Sequence, residues 1–324
     1  MKKSMINEVS IAGYVYSFAT EGRNALKISQ VKNESSAHFG MNFISGNIDI
    51  AVDEDGLNVP TVHFTYIPEY GTSKDGKKYN NKTYEALKRI IDNSDKTWLN
   101  AGKDGANKVN IQASVALNEW PREDDTWVST KVIEGRTLSI LSDFSDTTIE
   151  RDKFKTDFLV TKVAHVEADP DRHIDQDYVT ISGAAFTFKG ALLPMQFTVK
   201  NPSGMDYFES LEASPSEPVF TCVWGQVNCN TSKRIQETES AFGEAEVRYF
   251  ETKTREWLVT GTSKVPYEFG DKNFLTAEEL KTAMQNREVY LAGIKKRQED
   301  YKASRTSSTN TVPAMAVKAD EFNF

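Results

Sequence analysis

Rings and cations are interleaved at several places in this 324-residue chain. Tyr70-Gly-Thr-Ser-Lys74-Asp-Gly-Lys77-Lys78-Tyr79 brackets three lysines with two tyrosines in a turn-rich segment. Trp120-Pro-Arg122-Glu-Asp-Asp-Thr-Trp127 carries two tryptophans and an arginine beside three acids. Trp224 lies in an alternating run, and residues 228–255 hold Lys233, Arg234, Arg248, Tyr249, Phe250, Lys253 and Arg255. Aromatic faces stack on flat rings, while ammonium and guanidinium groups neutralise phosphate. These residue types therefore suit a polyanion that itself carries rings. Each stretch also has a plainer reading. Lysines keep a loop soluble, tryptophans plug a core, and Glu237, Glu239, Glu244, Glu246 and Glu251 offset the cations of 228–255. Phe186-Thr-Phe188-Lys189 is a weaker instance of the same pattern.

Signals for catalysis are poor. His38, His63, His165 and His173 are scattered without the paired spacing of a zinc site. Cys222 and Cys229 sit in or near a strand pattern, where a thiol serves as small apolar filler. Asp169-Pro-Asp-Arg-His173 is rich in turn formers, and Gly102-Lys-Asp-Gly lacks the spacing of a phosphate loop. The expectation is a protein that is not an enzyme, with no cofactor and no metal.

Two cysteines cannot staple a secreted scaffold, no apolar run reaches membrane-spanning length, and none follows the first lysines. A cytoplasmic location is expected. The net charge of −8 argues at first against a polyanionic partner. Its distribution changes that argument. Residues 1–140 sum to −1, residues 154–270 to −6, and residues 74–108 hold 9 basic against 5 acidic groups. The first half is thus the better candidate for an anion-binding groove.

The elements that must hold these groups are mostly strands. Val109, Ile111, Ala113, Val115 and Leu117 alternate with mostly polar residues, which is the period of a strand with one buried face. Strands are expected near 8–16, 26–31, 42–52 and 59–67, then a short amphipathic helix over 82–91 with Tyr84, Leu87, Ile90 and Ile91 on one face, then strands at 108–118 and 127–134. Residues 100–107 read as a loop. The second half repeats the order: strands at 158–166, 178–185 and 192–199, a helix at 205–211, then strands at 219–227 and 257–262. In the run 219–227, alternation sets Phe220, Cys222 and Trp224 on the face that would border a groove. Thr276-Ala-Glu-Glu279 has capping-box spacing and opens a helix running to about residue 304. This helix either packs on the body or pairs subunits in a homo-oligomer.

Three strands, a helix and a last hairpin form the order of an OB-fold, a five-stranded Greek-key barrel. An immunoglobulin-like sandwich would need about seven short strands and no intervening helix. The expected fold is mainly β: two OB-fold-like barrels in tandem, over 1–141 and 158–270, joined by a linker over 142–157. A C-terminal helix over 271–303 and a flexible tail with an acidic tip over 304–324 follow.

Ile6-Asn-Glu-Val-Ser-Ile-Ala-Gly-Tyr-Val15 resembles the first barrel strand of bacterial and bacteriophage single-stranded DNA-binding proteins. The alternating 109–117 run, Trp127-Val-Ser-Thr-Lys-Val-Ile133 and Thr137-Leu-Ser-Ile-Leu141 resemble that family's last hairpin and its exit. Ala319-Asp-Glu-Phe-Asn-Phe324 is similar to its acidic, Phe-ended tip. The departures are a tip with two acids ending Asn-Phe, and two barrels in place of one. A phage-encoded tandem-barrel relative fits them. The resemblance implies sequence-tolerant binding of single-stranded DNA in replication or recombination. The DNA-contacting candidates are Tyr70, Lys74, Lys77, Lys78, Tyr79, Trp120, Arg122, Trp127, Trp224, Lys233, Arg234, Arg248, Tyr249 and Phe250. Asp320, Glu321, Phe322 and Phe324 would dock replication or recombination proteins. The alternative from another class is a phage structural or protein-interaction component built on the same barrels.

Overall fold

The computed structural model describes residues 5–309 apart from 20, 23, 74, 123, 125, 147, 173, 188, 189, 239–245, 269, 272 and 273; for 231–238, 246–253 and 301–309 it describes backbone alone. The first half runs β1 (Asn7–Ser17), β2 (Lys27–Gln30), β3 (Asn42–Ala51), β4 (Thr61–Pro68), β5 (Tyr70–Thr72), β6 (Lys78–Asn80), α1 (Lys82–Asp92), α2 (Trp98–Gly105), β7 (Lys108–Pro121) and β8 (Trp127–Leu141). β1 pairs antiparallel with β3 and β7, β3 with β4, and β7 with β8. β4 then closes onto β8 in parallel, Val62 opposite Ile133. The second half runs β9 (Asp152–Val166), β10 (Tyr178–Phe186), β11 (Leu192–Val199), α3 (Pro202–Ser210), β12 (Val219–Thr238) and β13 (Glu246–Thr262). It closes the same way: β9 with β10 and β12, β10 with β11, β12 with β13, and β11 parallel to β13. Two OB-like barrels therefore stand in tandem, followed by the helix α4 (Ala277–Thr309).

Alternation builds each barrel. Val9, Ile11, Ile48, Ile50, Val62, Phe64, Val109 and Ile111 turn into the first barrel and are fully buried. Tyr84, Leu87 and Ile90 of α1 cap its end, with Asn81 accepting the Thr83 N–H as N-cap. The second core is aromatic: Phe154 stacks on Phe197 at 5.1 Å, and Trp257 meets Phe154 edge-on at 5.3 Å.

The barrels are not independent beads. β1 pairs antiparallel with β9 from Asn7 opposite Thr156 to Ile11 opposite Asp152, and the buried apolar side chains form one cluster across both barrels. Asn7, the polar residue that opens the first strand, ties the junction. Its amide donates to the Val115 and Phe186 carbonyls, one in each barrel, and accepts from the Val115 N–H. Asn58 accepts from the Cys229 N–H, and the Val59 N–H donates to the Cys229 carbonyl.

Three local expectations change. The linker proposed over 142–157 is shorter, because β9 begins at Asp152 where β1 offers a free edge. Residues 100–107 are not a plain loop: 98–105 are helical apart from Gly102, whose φ of 71° breaks the run and gives the loop-like composition its meaning. The stretch 228–255, expected as the connection between strands at 219–227 and 257–262, is itself strand, since β12 and β13 continue as a long hairpin paired out to Thr238 opposite Glu246.

The C-terminal helix starts as expected, with Glu279 and Thr276 exchanging the reciprocal bonds of a capping box. It packs on the barrels through Leu280, Ala283 and a bidentate Arg287–Glu119 ion pair, in which Glu119 is buried. Among the described residues, no helix is long and apolar enough to cross a membrane.

Candidate nucleic-acid interface

The tyrosines of the first stretch are held by a short hairpin. β5 and β6 pair with Gly71 opposite Tyr79, and the root is closed by Asn81, whose amide donates to the Pro68 carbonyl while its N–H donates to the Glu69 carbonyl. A Cβ on Gly71 would lie 2.3 Å from Cζ of Tyr79, so the ring rests directly on the glycine backbone. That leaves its other side to solvent, and Tyr79 is 56% exposed. Tyr70, Lys77 and Lys78 are exposed on the same hairpin; Lys74 lies outside the described residues.

This hairpin follows the end of β4, where two rings that composition did not single out are found. Phe43 of β3 and Tyr66 of β4 contact at 4.9 Å on the outer face of the barrel, with Tyr66 exposed. Along that face lie Asn47 and His63, whose Nδ1 is 2.6 Å from Asn47 Oδ1. The amide oxygen only accepts, so Nδ1 is the donor in this bond. The signal for the pair was present in the outward positions of the β3 and β4 alternation, but it depends on strand register.

Asn47 and His63 line a cleft of about 590 Å³ between the barrels. Trp120 borders it from the β7–β8 hairpin, and Arg255 and the buried Trp257 border it from the β12–β13 hairpin. Arg255 is exposed and has no ion-pair partner among the described residues. Lys131, on the same wall, is committed elsewhere: its ammonium donates to the Gln196 carbonyl of the second barrel and lies 5.6 Å from the centre of the Phe197 ring. Burial pushes its pKa down to about 8, against a smaller opposing pull from Glu256.

The remaining candidates divide. Trp120 is 41% exposed, but Trp127 pairs with Pro121 and therefore projects from the opposite face of the hairpin. The two tryptophans do not line one groove. Arg122 is exposed at the turn. Trp224 is 39% exposed and lies over Gly261, whereas Phe220 and Cys222 beside it are buried. Phe220 packs on Phe186 and Tyr267, and Tyr267 bonds Asp157, so the segment after β13 covers the face expected to border a groove. Lys233, Arg234, Arg248, Tyr249 and Phe250 belong to the hairpin backbone, Arg234 opposite Phe250, and their side chains lie outside the described residues. Asp320, Glu321, Phe322 and Phe324 are also outside them.

Comparison with known proteins adds three findings. A crystal structure of a deletion mutant of the single-stranded DNA binding protein from Thermus aquaticus is similar at 8% identity and a TM-score of 0.44, covering 83% of this chain and 98% of that one. The assignment of OB-like barrels rests instead on the strand pairing of this chain. No curated protein sequence matches. The third finding covers nearly the whole chain, from the first barrel strand through both barrels and the C-terminal helix: the YorF family model matches residues 7–317, and the chain belongs to the YorF family.

Proposed function

We propose that this protein binds single-stranded DNA along the outer face of its first barrel, with little sequence preference and without catalysing a reaction. One observation carries the reading: the rings at one end of the β3–β4 face, exposed Tyr66 against half-buried Phe43 and the exposed tyrosines of the β5–β6 hairpin, on the face that leads to the cleft lined by Trp120 and Arg255. A core has no use for rings held open to water on a polar strand face. A single strand does, because each stacked base contributes about 1–3 kcal/mol whatever its identity. Lys77, Lys78 and Arg255 supply cations for the phosphates between them.

The biological setting belongs to the same proposal: DNA replication or recombination in the cytoplasm, with the Phe-ended tip at 319–324 docking partner proteins. The test is a titration of fluorescent oligo-dT into the full-length protein at increasing salt. Binding that weakens steeply with salt supports the reading. Absence of binding at low salt overturns it and favours a protein-interaction role. Removal of residues 319–324 is expected to abolish capture of replication proteins while DNA affinity is kept or raised; retained capture would refute the docking role.

A further inference from the structure

The cleft between the barrels contains more than coating a strand requires. An indifferent track needs rings and cations, but the lining of this cleft presents groups that both donate and accept: the Asn24 and Asn47 amides and the His63 ring. Trp120 of the first barrel lines it as a half-open ring, and Arg255 of the second as an exposed cation with no ion-pair partner among the described residues. At about 590 Å³ the space lies within the ~300–1,000 Å³ range of small-ligand sites. It is walled by both barrels, since Asn58 of the first is bonded to Val227 and Cys229 of the second at its edge.

We propose that this cleft takes one unstacked nucleotide of the bound strand. Its base would lie against Trp120, its hydrogen-bonding edge on Asn47 and His63, and its phosphate on Arg255. The inference rests on the single-strand reading above and adds to it one position at which base identity matters. A free nucleotide shares this chemistry, but the wall shared with the exposed β3–β4 face places the cleft along the course of a longer strand. The edges of bases are read by amide and imidazole groups, whereas stacking and charge are blind to sequence.

The experiment is photocrosslinking of full-length protein to oligo-dT in which thymines are replaced by 5-iododeoxyuridine, with the modified peptides identified by mass spectrometry. Crosslinks at Trp120 or His63 are expected. Crosslinks confined to Tyr66, Tyr70 and Tyr79 would overturn the cleft while leaving strand binding intact, and absence of binding would overturn both. A second measurement compares the affinities of oligo-dT, oligo-dC and oligo-dA for wild type, Asn47→Ala and His63→Gln. The spread among homopolymers is expected to shrink about tenfold in the variants; an unchanged spread in both would refute base reading at this position. A mononucleotide that competes as well as the oligonucleotide would show a small-molecule site, and would also overturn the proposal.

Discussion

At the scale of single residues, burial and bonding separate binding candidates from structural ties that look alike in sequence. Trp120 is the open ring on the cleft, so Trp120→Ala is expected to weaken oligo-dT binding by the stacking of one base. That is about 1–3 kcal/mol, read as a roughly 5- to 150-fold rise in Kd by fluorescence anisotropy. Lys131 lies nearby but is spent on the second barrel. Its pKa of about 8 lies below the roughly 10.4 of an unfolded chain, so between those values the unfolded state holds a proton that the folded state lacks. Its contribution to stability therefore rises with pH through that window, and below pH 8 the folded protein carries a desolvated ammonium at a cost. Lys131→Met is expected to raise Tm at pH 7 and to lose that advantage by pH 10. A Tm difference that does not change between the two pH values would contradict the assignment. Asn7 is the opposite case. It resembles a binding-family signature, yet its three buried hydrogen bonds make it a joint between barrels.

At the scale of elements, the two long hairpins and α4 hold the candidate interface in place. Each hairpin reaches the other barrel, β7–β8 through Lys131 on Gln196 and β12–β13 through Cys229 on Asn58. The β7–β8 hairpin is held from behind by α4, where Arg287 grips the buried Glu119 and Gln298 donates to the Pro121 carbonyl. Glu119→Ala leaves Arg287, whose side chain is only 16% exposed, without its partner. Breaking such a pair costs about 3–5 kcal/mol. Hydrogen exchange is expected to show protection lost across residues 280–300 and at the 118–130 hairpin, with the first barrel's β3–β4 ladder unaffected. Loss of protection spread evenly over both barrels would contradict this local role. The capping box at Thr276 was readable from sequence because it is local. The length of β12 and β13 was not, because their outer residues are mostly polar and only pairing with each other makes them strands.

At the scale of the molecule, the β1–β9 ladder and the shared apolar cluster join two barrels into one body. Scanning calorimetry is therefore expected to give a single transition, with calorimetric and van't Hoff enthalpies in agreement; two resolved transitions would mean that the barrels unfold separately. The net charge of −8 takes its meaning at this scale as well. Charges far apart in sequence are sorted by the fold. Glu54 pairs with Lys103 and Arg151 at one edge of the first barrel, while Lys77, Lys78 and Arg255 remain exposed.

The amino-acid sequence by itself determined the strands, the helix of each half and the repeated order that makes two barrels, since a period of two and a cap are properties of neighbouring residues. It also marked Tyr70, Tyr79 and Trp120 as rings among cations. Only the tertiary structure decided that Trp120 and Trp127 project from opposite faces, that Phe43 and Tyr66 meet, and that Phe220 and Cys222 are covered. It alone brought Arg255 to Asn47 and His63 across more than half the chain. Those contacts follow from strand register, barrel closure and the pairing of β1 with β9, which join residues too far apart in sequence for any local pattern to bring together.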